Sequence, residues 1–378
     1  MRRKLILGIA AAVCLIIIII IAFVIGCDGG EEIVLPTEEP TATPTPAPTP
    51  PPTPTPSPTP SPTPTPDPYE GLYGVNPLTG LPIDEAFRNR RPAAVMLNNL
   101  KRALPMLGIS QADIIYEAPA EGGITRMLGV YQNPSEVPTI GSVRSTRAYY
   151  LDLAQGHDAI LLHAGFSEEA RVEIKRRGVT NMDCLSIYEG SLYWRDQERI
   201  RTKGLEHSVL TSGERIEKAY AELKGRIEHE PDWRERLLFA DNGTPAGGEA
   251  ALSISIQYSS YKTGLFEYDA ATGLYCVSQY GEPFIDGEDN TQVSVTNVLI
   301  LYAPIRSQGD RYGLLSIDLV GSGEGRFACG GKIIPIRWSK GSYDSPFVYT
   351  LTDGKPLTLG RGRSYVNIIS SSYTVTVE

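Results

Sequence analysis

The pattern of hydrophobic and polar positions divides the chain after residue 68 into a mixed first region and a strand-rich second region. In residues 69–241, short apolar runs bounded by turn residues predict strands at 91–99, 113–117, 124–131, 140–143 and 159–163. Helices are predicted at 148–155 and at 168–177, the second with Ser167 as its N-cap. A capping box at 211–214 predicts a helix that runs to about residue 224, and residues 231–233 are expected to open another short helix.

The second region, residues 245–378, is dominated by predicted strands. These lie at 252–258, 264–268, 274–278, 293–302, 312–320, 332–338, 347–352, 364–369 and 373–377. The glycine-rich run at 321–325 is followed by no helix signal, so it is interpreted as a tight turn and not as a phosphate-binding loop. The fold class is therefore mixed α/β (α+β), and the second region is either a separate domain or a set of further sheet layers on the first.

The first 27 residues predict export. A basic start is followed by an apolar run at 5–26 and then by Cys27. One interpretation is a signal peptide whose lipobox, residues 24–27, places a lipid on Cys27. The other is an uncleaved membrane anchor, since the run is long enough to span a bilayer at about 20 residues. Both alternatives tether the rest of the chain to a membrane, outside the cytoplasm.

A linker is predicted at residues 28–68, because 36–68 is almost entirely proline and threonine. Such a segment has no apolar side chains to bury and favours an extended polyproline II conformation. At about 3.1 Å per residue it could hold a domain up to roughly 100 Å from the bilayer. A spacer of this reach suits a domain that works within a thick cell wall.

Charge and cysteine content exclude several classes of protein. Three of the 35 basic and six of the 44 acidic residues precede Tyr69, which leaves a net charge of −6 for residues 69–378 and argues against nucleic acid as a partner. Cys276 and Cys329 could form one disulfide or remain two buried thiols. With four histidines and neither a Cys-x-x-Cys nor a His-Glu-x-x-His motif, no metal site and no cofactor are expected.

Polar residues gather at the ends of the predicted strands of the first region. The candidate ligand-binding residues are Glu117, Glu121, Arg126, Arg144, Arg147, His163, Arg195, Asp196 and His207. Each could instead form an ion pair or hydrogen bond that holds a loop. Arginine offers a fork of donors suited to carboxylates and phosphates, so a carboxylate of a wall peptide would be a fitting ligand.

Two catalytic arrangements are also conceivable. Glu117 and Glu121 could form an acid/base pair of the kind that glycosidases use. Ser145, His163 and Asp152 are the residue types of a nucleophilic triad, although no Gly-x-Ser-x-Gly motif accompanies them. Neither arrangement has the motif support that a catalytic assignment needs.

Seven blocks in the chain carry a resemblance to a known family. They are NPLTG (76–80), RPAAVMLNN (91–99), SQADIIYE (110–117), EGGITR (121–126), GSVRS (141–145), HAG (163–165) and WRD (194–196). In order and spacing these blocks resemble the YerB-like lipoproteins of Gram-positive bacteria, over residues 71–378. The resemblance implies an α+β fold with a layered, sandwich-like β/β/α first region, and an exported lipoprotein without an established activity. Where the family tends to have Pro-His-Asn, this chain has Glu206-His207-Ser208, which keeps only the histidine.

We therefore expect a membrane-tethered extracytoplasmic lipoprotein that binds a peptidoglycan-related ligand or a wall-synthesis protein. The alternative function is a cell-wall hydrolase that uses Glu117 and Glu121 or a cluster of Arg144 and His163. A structural scaffold is a third possibility.

Overall fold

The structure is a computed structural model that describes residues 75–378. The predicted signal peptide or anchor with Cys27 and the predicted linker lie outside the described residues. The described residues belong to one compact unit, Thr65–Glu378. Within residues 75–378, none of the helices combines the length and the apolar character that crossing a bilayer requires.

Helices are few and strands are many in this part of the chain. The helices are α1 (Glu85–Arg88), α2 (Ala148–Gly156), α3 (Glu168–Arg177), α4 (Gln197–Thr202) and α5 (Gly213–Glu222). The strands of the first region are β1 (Ala93–Asn98), β2 (Ile114–Pro119), β3 (Thr125–Tyr131), β4 (Ile140–Gly141), β5 (Ile160–His163), β6 (Asn181–Asp183), β7 (Trp194–Arg195), β8 (Val209–Thr211) and β9 (Leu238–Ala240). The strands of the second region are β10 (Glu249–Ala250), β11 (Ser253–Gln257), β12 (Thr263–Asp269), β13 (Leu274–Gln279), β14 (Glu282–Pro283), β15 (Ser294–Val295), β16 (Asn297–Tyr302), β17 (Ile305–Ser307), β18 (Leu315–Ile317), β19 (Gly321–Cys329), β20 (Lys332–Lys340), β21 (Val348–Leu351), β22 (Thr358–Gly360), β23 (Ser364–Ile369) and β24 (Thr374–Val377).

An 11-stranded sheet in the order β10-β20-β19-β16-β23-β2-β3-β1-β5-β6, with β21 beside β20, forms the centre of the fold. Strands β1, β5 and β6 run parallel to one another, and so do β2, β23 and β16. Strand β3 lies antiparallel between β1 and β2. The two sequence regions therefore share one sheet, since β1, β2, β3, β5 and β6 come from the first and the remaining strands from the second.

Both faces of the central sheet are covered, which explains the continuous apolar character of β1. Ala93, Val95 and Leu97 point to the face that packs with residues of the second sheet, whose order is β14-β13-β12-β11-β24 with β15 beside β13. Ala94 and Met96 point to the opposite face, where they share a core with α2. The mixed α+β fold with a strand-rich second region is confirmed.

Local signals account well for helix α3. The Ser167 hydroxyl accepts a hydrogen bond from the Ala170 amide at 3.2 Å, as an N-cap does. Glu168 and Glu169 lie in the first turn and three basic residues in the last, which matches the helix dipole. Gly178 ends the helix with φ of 64°, a left-handed conformation that glycine adopts without strain.

Three local expectations were wrong. Residues 321–325 begin strand β19, and an added Cβ on Gly323 would lie 2.5 Å from Trp338 Nε1, so the glycine lets the indole lie against the strand. Residues 231–233 form a turn and open no helix. Helix α5 is capped by Ser212, one residue later than the capping box predicts, and ends at Glu222.

Of the two alternatives for Cys276 and Cys329, free thiols are the one found.

Candidate functional site

The candidate residues lie mainly at one edge of the central sheet. Because β1, β2 and β5 point the same way, their carboxyl ends meet at that edge, and the antiparallel strand β3 begins there. Asn98 ends β1, His163 ends β5, and Arg126 is the register partner of both Asn98 and Ala118. The carboxyl ends of parallel strands are where ligands commonly bind in open α/β sheets.

Three arginines, Arg126, Arg144 and Arg147, form what we call the arginine cluster. Arg126 Nη2 lies 2.6 Å from Glu121 Oε1, and Arg147 Nη2 contacts the same oxygen while its Nε donates to Glu121 Oε2 at 3.2 Å. Arg126 also donates to the Ser145 carbonyl oxygen at 2.7 Å. One carboxylate thus serves two buried guanidinium groups.

Burial and the closeness of several positive charges shift the pKa values of residues in and beside the cluster. Burial is the main cause that lowers the pKa of Arg126 to about 10, and the charge of Arg147 adds to it. Burial also lowers the pKa of Arg144, with Arg147 contributing in the same direction. Burial alone would raise the pKa of the Glu121 carboxyl, but Arg126 and Arg147 outweigh it and the net shift is downward. Glu121 is therefore ionised at neutral pH.

Arg144 is the member of the cluster with the least internal pairing. Within residues 75–378, its guanidinium makes one hydrogen bond, from Nη1 to the Glu206 carbonyl oxygen at 3.2 Å. The exposed Glu206 carboxylate and the exposed Arg102 act electrostatically in the same neighbourhood. The side chain of Arg144 is half-buried, so a ligand can reach it from solvent.

His207 closes one side of this neighbourhood. Asn98 Nδ2 lies 2.7 Å from His207 Nδ1, and since Asn98 Oδ1 accepts from the Leu100 amide, Asn98 is the donor. The imidazole hydrogen therefore resides on Nε2, which lies 3.4 Å from Glu206 Oε1. Burial lowers the pKa of His207, so its ring is neutral at neutral pH and adds no charge to the cluster.

Glu117 is not part of the accessible edge, because its side chain is 1% exposed. Its Oε1 accepts from Asn99 Nδ2 at 2.9 Å and from the Thr125 hydroxyl at 2.5 Å. Its Oε2 accepts from the Tyr365 hydroxyl at 2.6 Å. Lys262 Nζ completes the set at 3.1 Å from Oε1.

Lys262 is the principal residue that the sequence analysis missed. Its side chain is 0% exposed, donates to Gln279 Oε1 at 2.7 Å, and lies over the rings of Tyr258 and Tyr280 at 5.7 Å and 5.2 Å. Burial lowers its pKa, while Glu117 opposes that shift. The one signal in the sequence was a lysine among tyrosines at a strand turn, which by itself does not indicate burial.

The residues of the conceivable nucleophilic triad are not assembled. His163 is fully buried, with Nδ1 at 2.9 Å from the Gly165 carbonyl oxygen and Nε2 at 3.0 Å from Asn181 Oδ1. The Ser145 hydroxyl donates to the Ala164 carbonyl oxygen at 2.8 Å. Asp152 is paired with Arg177. Each of the three side chains is thus engaged elsewhere.

The last two candidates hold the loop that carries His207. Arg195 Nη1 donates to the Leu205 carbonyl oxygen at 3.2 Å, and its Nε lies 3.5 Å from Glu189 Oε1. Asp196 caps helix α4 through a bond from the Arg199 amide at 2.7 Å. These two side chains position the loop that carries His207. Their connection to the arginine cluster is indirect and runs through that loop.

The side chains at this edge have a chemistry that suits an anion. Among the residues described, no three His, Cys, Asp or Glu side chains are grouped as metal ligands. Half-buried Arg144, beside two arginines that share one carboxylate, provides donors and positive charge for a carboxylate or phosphate group.

The molecule is thus an α+β protein built on one mixed sheet, with crowded arginines at the carboxyl edge of its parallel strands. Residues 78–226 match the family described as "Protein of unknown function (DUF3048) N-terminal domain", and residues 254–366 match the corresponding C-terminal domain. The chain belongs to this DUF3048 family, and the resemblance to YerB-like proteins is confirmed.

Two relatives describe the likeness more closely. Over 298 residues the chain is 34% identical to "Putative lipoprotein YerB" of Bacillus subtilis (strain 168), an alignment that covers 78% of this chain and 85% of the relative. It is also similar to the crystal structure of the YerB protein from Bacillus subtilis, with a TM-score of 0.70 and 30% identity. That match covers 79% of this chain and 98% of the other.

Proposed function

We propose that this protein is a lipoprotein, anchored by a lipid on Cys27 at the outer face of the cell membrane, whose folded part binds a carboxylate group of a cell-wall peptide at the arginine cluster. The observation that carries the binding site is the imbalance of charge at the carboxyl edge. Arg126 and Arg147 share one carboxylate, Glu121, and Arg144 adds a third positive charge that the exposed Glu206 carboxylate partly offsets, in a chain whose formal net charge is −9.

The geometry supports a carboxylate ligand for two reasons. The partly exposed Arg144 keeps most of its fork of donors for a ligand, because its one internal bond uses Nη1. Buried Arg126 and Arg147 supply further positive charge in surroundings that water screens poorly. An incoming carboxylate would therefore gain a charge-assisted, two-point contact with Arg144.

The anchor rests on separate observations. The residues Val24-Ile25-Gly26-Cys27 form a lipobox-like sequence after an apolar run, and the similar YerB protein is described as a lipoprotein. Mass spectrometry of the protein purified from a Gram-positive host should detect a lipid on Cys27 and no residue before it. Detection of residues 1–26 on the mature chain would contradict the lipid anchor and favour an uncleaved span.

The hydrolase alternative has no comparable support. Glu117 is sealed beneath Lys262 and Tyr365, and Glu121 is held by two arginines, so neither is placed as a free acid or base. His163 has both ring nitrogens occupied and is not exposed. We therefore carry only the binding function forward.

The binding proposal is tested by calorimetric titration of the full chain in detergent with soluble wall peptides, and with the same peptides after amidation of their carboxyl groups. Binding should be seen with the free carboxylates and be lost on amidation. Arg144→Ala should weaken binding by about tenfold or more, and Arg144→Lys should restore only part of it, since lysine lacks the two-point contact.

Arg306→Ala is the matched control, because Arg306 is an exposed arginine paired with Asp318 outside the candidate site. It should bind like the unmodified protein. Equal binding of amidated and free peptides, or no binding of either, would overturn the proposal. Retention of an acidic envelope protein instead of the peptides would assign the cluster to a protein partner.

A further inference from the structure

A concave site lies at the ends of β1 and β5 opposite to those that approach the arginine cluster. This cleft, which we call the Trp233 cleft, has a volume of about 390 Å³, within the range of small-molecule sites of roughly 300–1,000 Å³. Arg91 precedes strand β1, and Asp158 and Ala159 precede the parallel strand β5. The cleft therefore lies at the amino ends of strands whose carboxyl ends approach the arginine cluster, roughly 20 Å away for six residues of strand.

Its wall is held by a partly buried ion-pair network centred on Asp158. Arg226 binds both oxygens of this carboxylate, at 2.6 Å and 2.7 Å, and Arg91 Nε lies 3.2 Å from Oδ1. His229 Nδ1 lies 2.9 Å from Oδ2 and is the donor, because a carboxylate can only accept. The other ring nitrogen, Nε2, has no hydrogen-bond partner within residues 75–378.

The network fixes the aromatic side chain that gives the cleft its name. The rings of His229 and Trp233 are stacked with centroids 3.8 Å apart and planes 10° apart. Trp233 lines the cleft, while His229 lies behind it and is only 6% exposed. Asp158, His229 and Trp233 thus form a rigid wall in advance of any ligand, which lowers the entropic cost of binding.

This wall contains polar atoms that have no partner within the chain. In residues 75–378 nine buried side-chain atoms lack one, and three of them belong here: Gln155 Oε1, His229 Nε2 and Trp233 Nε1. A buried polar atom without a partner costs about 1–3 kcal/mol. Gln155 lines the cleft, so a rotation of its side chain would offer the amide group to a ligand with hydroxyl groups, while the Trp233 ring stays stacked on His229.

The charges of the residues that line the cleft indicate the sign of the ligand's charge. Two positive and four negative side chains give a formal net charge of −2: Arg91, Arg226, Asp158, Glu230, Asp232 and Asp344. The two arginines are engaged with Asp158, so Asp232 and Asp344, both exposed, dominate the rim. An indole beside carboxylates is an environment that attracts an organic cation.

We infer that the Trp233 cleft binds a hydroxyl-bearing organic ammonium ion, of which a protonated amino sugar is the test case. The rim carboxylates and the Trp233 indole take the ammonium group, and the Gln155 amide takes a hydroxyl group. This site is independent of the arginine cluster, which takes the opposite charge at the other end of the strands.

Titration of the full chain in detergent with glucosamine at pH 6, where the amine is protonated, tests the inference by calorimetry and by tryptophan fluorescence. Glucosamine should bind, and N-acetylglucosamine, which keeps the ring but lacks the charge, should bind at least about tenfold more weakly. The double variant Asp232→Asn/Asp344→Asn should lose about tenfold in affinity, and Trp233→Phe should lose affinity and the fluorescence change together.

Two control variants keep the test specific. Glu282→Gln removes an exposed carboxylate from β14, outside this cleft, and should leave glucosamine binding unchanged. Arg144→Ala, which tests the arginine cluster, should also leave glucosamine binding unchanged. The wall-peptide proposal and this inference can therefore fail independently of each other. No binding of glucosamine, equal binding of N-acetylglucosamine, or full binding by the Asp232→Asn/Asp344→Asn variant in its folded state would each overturn the inference.

Discussion

The ammonium group of Lys262 lies 3.1 Å from Glu117 Oε1, with 0% of the lysine side chain and 1% of the glutamate side chain exposed. Lys262 immediately precedes β12 of the second sheet, and Glu117 belongs to β2 of the central sheet. This one ion pair therefore joins the two sheets through the core. Asn99 and Thr125 also donate to Glu117 Oε1, and Tyr365 donates to Oε2. The Lys262 ammonium group also donates to Gln279 Oε1.

Removing one partner of this pair should destabilise the protein strongly. Lys262→Met leaves a buried carboxylate without its counter-charge, and we expect a loss of about 3–5 kcal/mol in the free energy of unfolding. Glu117→Gln should cost a similar amount, because it leaves the ammonium group buried. Urea unfolding monitored by circular dichroism measures both.

The double variant Lys262→Met/Glu117→Gln provides the control for this prediction. If the two residues form one ion pair, the double variant should lose clearly less stability than the sum of the single variants. Additive losses would show that each side chain acts through other contacts.

Glu121→Gln should strengthen anion binding at the arginine cluster. The substitution removes the carboxylate that Arg126 and Arg147 share, so an anionic ligand would no longer compete with an internal one. We expect tighter binding of the wall peptides in calorimetry, by several-fold to about tenfold, together with a lower unfolding temperature. A hydrolase that needed Glu121 would instead lose its activity, and weaker peptide binding by this variant would contradict the competition that we describe.

Asp158 should give the protein a specific loss of stability in acid. Burial raises its pKa, but hydrogen bonds from His229 and Arg226 outweigh that effect and hold the pKa at about 2, below its ordinary value of 3.8. A lowered pKa contributes stability that is fully present above 3.8 and is lost as the pH falls through 2. The difference corresponds to about 2 kcal/mol for a side chain that is 15% exposed.

Asp158→Asn isolates this contribution, since asparagine tolerates the left-handed backbone, with φ of 49°, at this position. The stability advantage of the unmodified protein over the variant should shrink by about 2 kcal/mol between pH 5 and pH 2. A constant difference across this range of pH would show that the carboxylate is not stabilised by the network. Urea unfolding at each pH provides the measurement.

The three cysteines described should remain reduced and differ in reactivity. Burial raises the pKa of both Cys184 and Cys329 to about 11, and both are hidden, whereas Cys276 is partly exposed. Maleimide labelling of the native protein, mapped by mass spectrometry, should modify Cys276 first, since reaction requires an accessible thiolate. All three should react after unfolding without reductant, and a disulfide-linked peptide with Cys276 and Cys329 would contradict the structure.

The sequence predicted most elements because their signals are local. The apolar run before Asn98 forms β1, and Ser167 and Gly178 delimit α3 as cap and terminator. The expectation for residues 321–325 failed because Gly323 lies against Trp338, a residue of another strand. A composition that favours a turn in isolation was overridden by contact across the sheet.

The sequence located the candidate site only in part, for the same reason. It placed Arg126, Arg144 and Arg147 near strand ends, and parallel strands bring such ends together. It did not separate them from Glu117 or His163, which burial removes from the edge. Nothing in the order of residues indicated that His229 and Trp233 would stack behind Asp158.

The sequence by itself determined the mixed α+β class and the residue types available for binding an anion, because each of these depends on composition or on neighbours along the chain. The export signal and the linker stay predictions of the sequence, since they lie outside the described residues. Only the tertiary structure decided that both regions share one sheet, that Lys262 neutralises Glu117, and that a cleft lies at the amino ends of β1 and β5. Contacts between residues distant in sequence depend on how sheets pack, and burial then decides which charged side chains remain free for a ligand.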